Sequence, residues 1–212
     1  MMIQERFRKL SNISHLPTFQ KLVDAFNNYD YFADPMIDSV YPQINEDSLC
    51  IQIIRTELGR TYADWSMDQE LRYKPETEHI IDLAQELSEL LKNEFPKTIW
   101  FKGHIVCLLP NGKQSLHIDK PWWQQHARRI VVPIITNPDA VTQVEDEVIH
   151  MEAGQCYELN TLRMHGSTNK GKSMRVHLFL DYIPENRWPI VEHYYKSKTK
   201  KRDPFITATT VE

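Results

Sequence analysis

The segment Leu116-His117-Ile118-Asp119 sets an imidazole and a carboxylate two residues apart. On an extended backbone, residues i and i+2 point to the same side, so His117 and Asp119 face one point while Ile118 packs the other way. His165, in Arg163-Met164-His165-Gly166-Ser167, offers a second imidazole much further along the chain. Antiparallel strands routinely bring such distant segments side by side. Two imidazoles and one carboxylate around one ion are the facial ligand set of non-haem Fe(II) oxygenases, and they leave three coordination positions open. Two open positions suit a bidentate oxo acid and the third suits oxygen. A structural zinc site would instead want four closed ligands, usually with thiolates, and no cysteine lies near. An H-x-D pair by itself is weak evidence in a chain with nine histidines. His15, His79, His126 and His193 are read as surface or satisfied core residues.

Arg175 strengthens the case. On a strand, Arg175, His177, Phe179 and Asp181 share one face, and Val176, Leu178, Leu180 and Tyr182 share the other. The second set reads as core against helices. The first is an unusual mixture for a barrel interior, because a buried guanidinium needs an anionic partner. A bound dicarboxylate would supply one through a bidentate pair; the alternative is a rim arginine paired with Glu or Asp. Arg129 is a second cation aimed at the same pocket, with Arg128 pointing the opposite way. The adjacent Trp122 and Trp123 either cap the pocket mouth and touch substrate or pack on the helical half, since fully exposed tryptophans are unusual. His177, one strand step from Arg175, is a substrate or supporting contact or a satisfied core histidine.

The elements that must position these groups divide by periodicity. Over 16–27, Phe19, Leu22, Val23 and Phe26 recur at helical steps. A second helix is predicted over about 77–94, with Ile80, Ile81, Leu83, Ala84, Leu87, Leu90 and Leu91 as its buried stripe, Thr77 as N-cap and Pro96 as stop. After Pro96 the pattern turns to strands at 98–110, 128–136, 141–151, 155–160 and 173–183, separated by clusters of Pro, Gly, Asn and Asp. The expectation is one α+β, mainly β domain over 1–212: a helical part to about 96, a β core over about 97–185 and a C-terminal extension from 186. An antiparallel jelly roll with helices packed on one face fits best.

Composition agrees with a globular chain of 212 residues, 41% hydrophobic and 25% charged. A net charge of −4 gives no general field for nucleic acid. The basic run Lys196–Arg202 reads as a solvated tail. Cys50, Cys107 and Cys156, with no C-x-x-C pair, argue against a disulfide framework and for a reducing, cytoplasmic setting, with Cys107 in the core. The opening Met1–Asn12 is too polar for a signal peptide and no stretch suits a membrane span, so no membrane partner is expected.

Taken together, these residues resemble the aspartyl/asparaginyl β-hydroxylase family, including its branch of free-proline hydroxylases. The likeness runs from about Leu108 to Tyr182. LLPNG (Leu108–Gly112) and LHID (Leu116–Asp119) look like the family's turn and first ligand, and RIVVPIITN (Arg129–Asn137) like its next strand. MEAGQ (Met151–Gln155) and YELN (Tyr157–Asn160) look like the following turn and strand. HGSTN (His165–Asn169) with RVHLFLD (Arg175–Asp181) looks like the second histidine, cosubstrate arginine and closing strand.

The resemblance implies a double-stranded β-helix (a jelly roll, cupin-like), Fe(II), O2 and 2-oxoglutarate as cosubstrate. It also implies His117, Asp119 and His165 as ligands, Arg175 on the distal carboxylate, and Arg129 on cosubstrate or substrate. The substrate would be an amino acid or a peptide or protein residue of Asp, Asn or Pro type. Two features depart from the pattern: Val131 stands where the family's strand carries a histidine, and the Lys120–His126 segment differs. Two other classes stay open. One is a noncatalytic jelly-roll module binding a metal or small acid. The other is a zinc-dependent hydrolase on the same ligands, with Glu152 or Glu158 as base.

Overall fold

The computed structural model describes residues 4–28, 48–53, 75–119 and 122–199. Its elements are strand β1 (Phe7–Asn12), helix α1 (Pro17–Asn27), β2 (Ser48–Ile53), helix α2 (Pro75–Lys92), β3 (Thr98–Leu108) and β4 (Lys113–His117). A short 3-10 helix (Trp122–His126) leads into β5 (Arg128–Ile135), followed by β6 (Ala140–Val144), β7 (Glu147–Ile149), β8 (Gln155–Leu159), β9 (His165–Asn169), β10 (Arg175–Pro184) and helix α3 (Trp188–Thr199). The strands form two antiparallel sheets, a large one in the order β1-β8-β5-β10-β3-β2 and a small one in the order β4-β9-β6-β7. This is the jelly-roll arrangement expected, with the N-terminal helices on the large sheet.

Strand parity decides which side each residue serves. Val176, Leu178, Leu180 and Tyr182 of β10 are fully buried in one apolar cluster with Ile130, Val132 and Ile134 of β5 and with Phe19, Leu22 and Phe26 of α1. Ile80, Ala84, Leu87 and Leu91 of α2 join that cluster. Each such aliphatic or aromatic side chain contributes roughly 1.5–3 kcal/mol on burial. The Tyr182 hydroxyl donates to the Ser88 carbonyl at 2.8 Å, which ties sheet to helix. The opposite parity faces between the sheets, where Val131, Tyr157 and Leu159 meet Val144 and Met151, with Phe179 against them.

Several expectations are corrected. Two strands, β1 and β2, lie within the part read as helical, at the two edges of the large sheet. Thr77 sits inside α2 rather than capping it, because Pro75 already occupies the first turn. Leu90 is 42% exposed, since it falls about 90° off the stripe centred on Ile80, Ala84, Leu87 and Leu91. The run 141–151 is two strands in a hairpin, turned at Glu145 (φ 56°) and Asp146. The extension after 186 begins with α3, and the basic run shares its last turns before passing beyond the described residues. Cys107 and Cys156 are buried and not joined in a disulfide, while the Cys50 side chain lies outside the described residues. Among the described residues, no helix is long and apolar enough to cross a membrane.

Candidate metal centre

His117 ends β4 and His165 opens β9, and the two are direct partners in the antiparallel ladder. A register shift between Gln114 and His117 bends β4 just before the ligand, as bulges do beside functional groups. The strands approach closely there. A Cβ on Gly166 would lie 2.7 Å from the Gln114 carbonyl oxygen, so only glycine fits beside His165. The Asp119 amide donates to the Thr161 carbonyl at 3.0 Å, fixing the chain two residues beyond His117. Side-chain ligand atoms of His117, Asp119 and His165 consequently all fall within 4.8 Å of one another. His117 Nε2 is 3.6 Å from Asp119 Oδ1, and His165 Nε2 is 3.9 Å from Asp119 Oδ2.

Both imidazoles are aimed by their other nitrogen. His117 Nδ1 donates to the Ser115 carbonyl at 2.8 Å, and His165 Nδ1 to the Arg163 carbonyl at 2.9 Å. A carbonyl can only accept, so the neutral rings carry their proton on Nδ1 and present a lone pair at Nε2. Burial lowers the pKa of His165, favouring that neutral form. The neighbouring Asp119 carboxylate, which favours the protonated ring, raises that of His117, which is more exposed.

Asp119 is held by its far oxygen. Oδ2 accepts from Gln124 Nε2 at 2.8 Å and from an Arg129 terminal nitrogen at 2.5 Å, which leaves Oδ1 turned toward His117. Burial opposes charge on this carboxylate. Arg129, His117, His165 and Gln124 together outweigh it and hold the carboxyl far below the usual range. Arg129 is itself anchored: its Nε and second terminal nitrogen fork onto the fully buried Asp181 at 2.8 and 2.9 Å. Its guanidinium thus bridges two carboxylates. Arg128 points away as expected, forking onto Glu158 at 2.9 and 2.8 Å on the helix side of the sheet. Gln124 and Asp181 were not singled out as site residues by the sequence; their roles come from contacts across the fold.

The triad opens on a cavity of about 270 Å³ lined by inward-facing side chains of both sheets. Small-ligand pockets usually span roughly 300–1,000 Å³, so this one suits a small occupant. His104, Val131, Ser167, His177 and Phe179 form part of its wall. Val131, at the position where the family pattern has a histidine, leaves that part of the wall apolar. Asp119 is the only carboxylate on the wall, among the described residues. Glu152 is exposed, and Glu158 faces away in ion pairs with Arg128 and Arg8. Neither carboxylate weighed as a hydrolytic base reaches the site.

Arg175 is 1% exposed, and none of its three side-chain nitrogens has a hydrogen-bond partner among the described residues. Burial pushes its pKa down to about 10, so it stays cationic at neutral pH. It does not itself line the cavity; His177, next along the same strand face, does. Trp123 is buried, lines the cavity and meets Phe101 edge-on at 5.0 Å between centroids. Trp122 stacks on Tyr194 of α3 at 4.3 Å and is not on the cavity wall. Both tryptophans therefore pack toward the C-terminal helix, not the N-terminal ones.

A family model described as aspartyl/asparaginyl beta-hydroxylase matches residues 54–184, more than half of the chain. No curated protein matches the sequence. Among solved structures, the chain is similar to an oxidoreductase of the 2OG-Fe(II) oxygenase family from Burkholderia pseudomallei, with 12% identity, 85% of each chain covered and a TM-score of 0.54. It is also similar to HygX from Streptomyces hygroscopicus, solved with nickel, 2-oxoglutarate and hygromycin B, at 11% identity, 84% of this chain and 83% of that one, and a TM-score of 0.52. A prolyl hydroxylase from Trichoplax adhaerens, in complex with a hypoxia-inducible-factor peptide fragment, gives 12% identity, coverage of 88% and 87%, and a TM-score of 0.51. At such identities these likenesses speak for the fold.

Proposed function

Because the chain belongs to the aspartyl/asparaginyl β-hydroxylase family, we propose that it is an Fe(II)- and 2-oxoglutarate-dependent dioxygenase that hydroxylates an amino acid or peptidyl residue of Asp, Asn or Pro type. The observation that carries this reading is the meeting of two Nε2 lone pairs and one carboxylate oxygen within 4.8 Å at the mouth of a small cavity. That donor set suits Fe(II) and leaves half its positions to exogenous ligands. The unpartnered Arg175 cation supports the cosubstrate: a buried guanidinium is costly until an anion meets it, and a dicarboxylate brings one.

His117, Asp119 and His165 would hold the iron. When bound, Fe(II) and 2-oxoglutarate supply the oxidation: one O2 hydroxylates a C–H bond and converts 2-oxoglutarate to succinate and CO2. The protein's own work is orientation and exclusion. Ser115 and Arg163 carbonyls hold the imidazole tautomers, and Arg129 and Gln124 hold one oxygen of Asp119 so that the other is free for the metal. Arg129 thus serves the cosubstrate indirectly, through the carboxylate it orients. Val131, Met151, Leu159 and Phe179 keep part of the wall apolar, which limits water around the reacting centre. The chemistry requires no general base, and among the described residues no carboxylate besides Asp119 lines the wall, which also weighs against the hydrolase alternative.

The test is succinate release from 2-oxoglutarate across free amino acids and short Asp-, Asn- or Pro-containing peptides, with Asp119→Ala as control. Substrate-stimulated succinate lost in Asp119→Ala is expected. Near-normal turnover by that variant would contradict the assignment of a three-ligand centre.

A further inference from the structure

His177 is 2% exposed, lies on the cavity wall, and has no partner for either ring nitrogen among the described residues. A buried imidazole usually satisfies at least its N–H, because an unmade hydrogen bond costs about 1–3 kcal/mol. Its neighbours on the sheet cannot help. Across β5 the ladder sets Pro133 opposite His177, and across β3 it sets Val106 opposite. Phe179, next on the same face, presents a ring at 6.3 Å between centroids. Arg175, the preceding residue on that face, is a cation with three unpartnered nitrogens. Two adjacent inward positions of one strand therefore carry five nitrogens with nothing to bond to.

The charges at this spot sort the possible ligands. A cation would meet Arg175. A neutral apolar group would leave the imidazole N–H and the guanidinium unmade. An anion with two or more acceptor oxygens answers both, taking a charge-assisted bond from the guanidinium and a second from the ring. Burial, with Arg175 and His150 adding to it, lowers the pKa of His177 well below the ordinary imidazole value, so the ring is neutral and has one N–H to give.

We propose that His177 is a carboxylate-binding residue, which together with Arg175 forms an anion subsite for the end of the oxo acid remote from the metal. His177 is thus neither a satisfied core histidine nor a contact for the hydroxylated substrate. The proposal rests on the cosubstrate reading above and deepens it, since it divides the work of gripping the cosubstrate between two side chains. A hydrogen bond to a charged group is worth roughly 1.5–3 kcal/mol, so removing the ring donor should weaken binding by roughly 10- to 150-fold.

Calorimetric titration of the Mn(II)-loaded protein without turnover, with 2-oxoglutarate and separately with 2-oxobutyrate, tests the subsite. The second acid keeps the keto-acid end and lacks the remote carboxylate. In His177→Phe, affinity for 2-oxoglutarate should fall by about tenfold or more, while affinity for 2-oxobutyrate and for Mn(II) stays at the wild-type value. His177→Leu, which also removes the donor but on a smaller side chain, should show the same loss and covers the case in which the phenylalanine variant does not fold. Unchanged 2-oxoglutarate affinity in either folded variant, or equal weakening of both acids, would overturn the role of His177. Wild-type protein that binds Mn(II) but neither acid would instead overturn the cosubstrate reading itself.

Discussion

Replacing Asp181 by Asn probes the ion-pair chain that stands behind the metal ligand. Asp181 is fully buried and receives two bonds of 2.8 and 2.9 Å from Arg129, whose remaining terminal nitrogen holds Asp119. Asparagine keeps the shape and one acceptor oxygen but turns the second contact into a donor facing a donor. Breaking one side of a buried pair costs about 3–5 kcal/mol, and the retained oxygen puts this change near 3 kcal/mol. At roughly 2–4 °C per kcal/mol for a chain of this size, the melting temperature should drop by about 6–12 °C. The loss is structural first, but it also frees Arg129 to turn, so Asp119 loses its fixed orientation. Groups behind metal ligands are typically worth about 10- to 100-fold in metal affinity, and Mn(II) binding should weaken by about tenfold. Thermal melts by circular dichroism and Mn(II) titration read the two effects. A melting temperature within about 2 °C of wild type, the range of a neutral surface change, together with unaltered Mn(II) affinity, would refute the bridging role of Arg129.

Two further changes test other supports of the site. Gly166→Ala adds a Cβ that would meet the Gln114 carbonyl oxygen at 2.7 Å, forcing β4 from β9 and His117 from His165; metal affinity should fall by about tenfold or more with the far-ultraviolet spectrum retained. Burial opposes charge on Glu158, but Arg128 and Arg8 lower its pKa below the ordinary value on balance. A depressed carboxylate stabilises the fold fully above its unfolded pKa and loses that contribution as pH falls through the folded one. The wild-type melting temperature should therefore decline from roughly pH 5 downward, and Glu158→Gln, less stable at neutral pH, should show a shallower decline. Parallel pH profiles for the two proteins would contradict the pairing.

The parity of Arg175–Tyr182 was legible in the sequence because a strand with helices on one side and a polar cavity on the other writes its two faces in alternation. The α1 stripe was legible for the same reason at helical period, and Leu90 failed only at its edge. The triad could be read because H-x-D depends on local geometry and His165 follows a run of predicted strands that an antiparallel sheet folds back alongside it. What stayed hidden is what no local period encodes. Arg129 finds Asp181 and Asp119 only through strand order and a turn, and Gln124 finds Asp119 only because a short 3-10 helix brings it back. Strand β9 is made of His, Gly, Ser, Thr and Asn, a turn-like composition overridden by its place between β4 and β6. Helix α3 did carry a usable signal, the Trp188-Pro189 start that suits a first helical turn, outweighed by the basic run behind it.

The central claim is that His117, Asp119 and His165 would hold one iron and that 2-oxoglutarate would join it there as cosubstrate. Under anaerobic conditions, Fe(II) and 2-oxoglutarate added together should give the purified protein a visible charge-transfer absorption that neither gives alone and that Asp119→Ala and His165→Ala lose. Well-folded wild-type protein that stays colourless with both present would contradict the assignment.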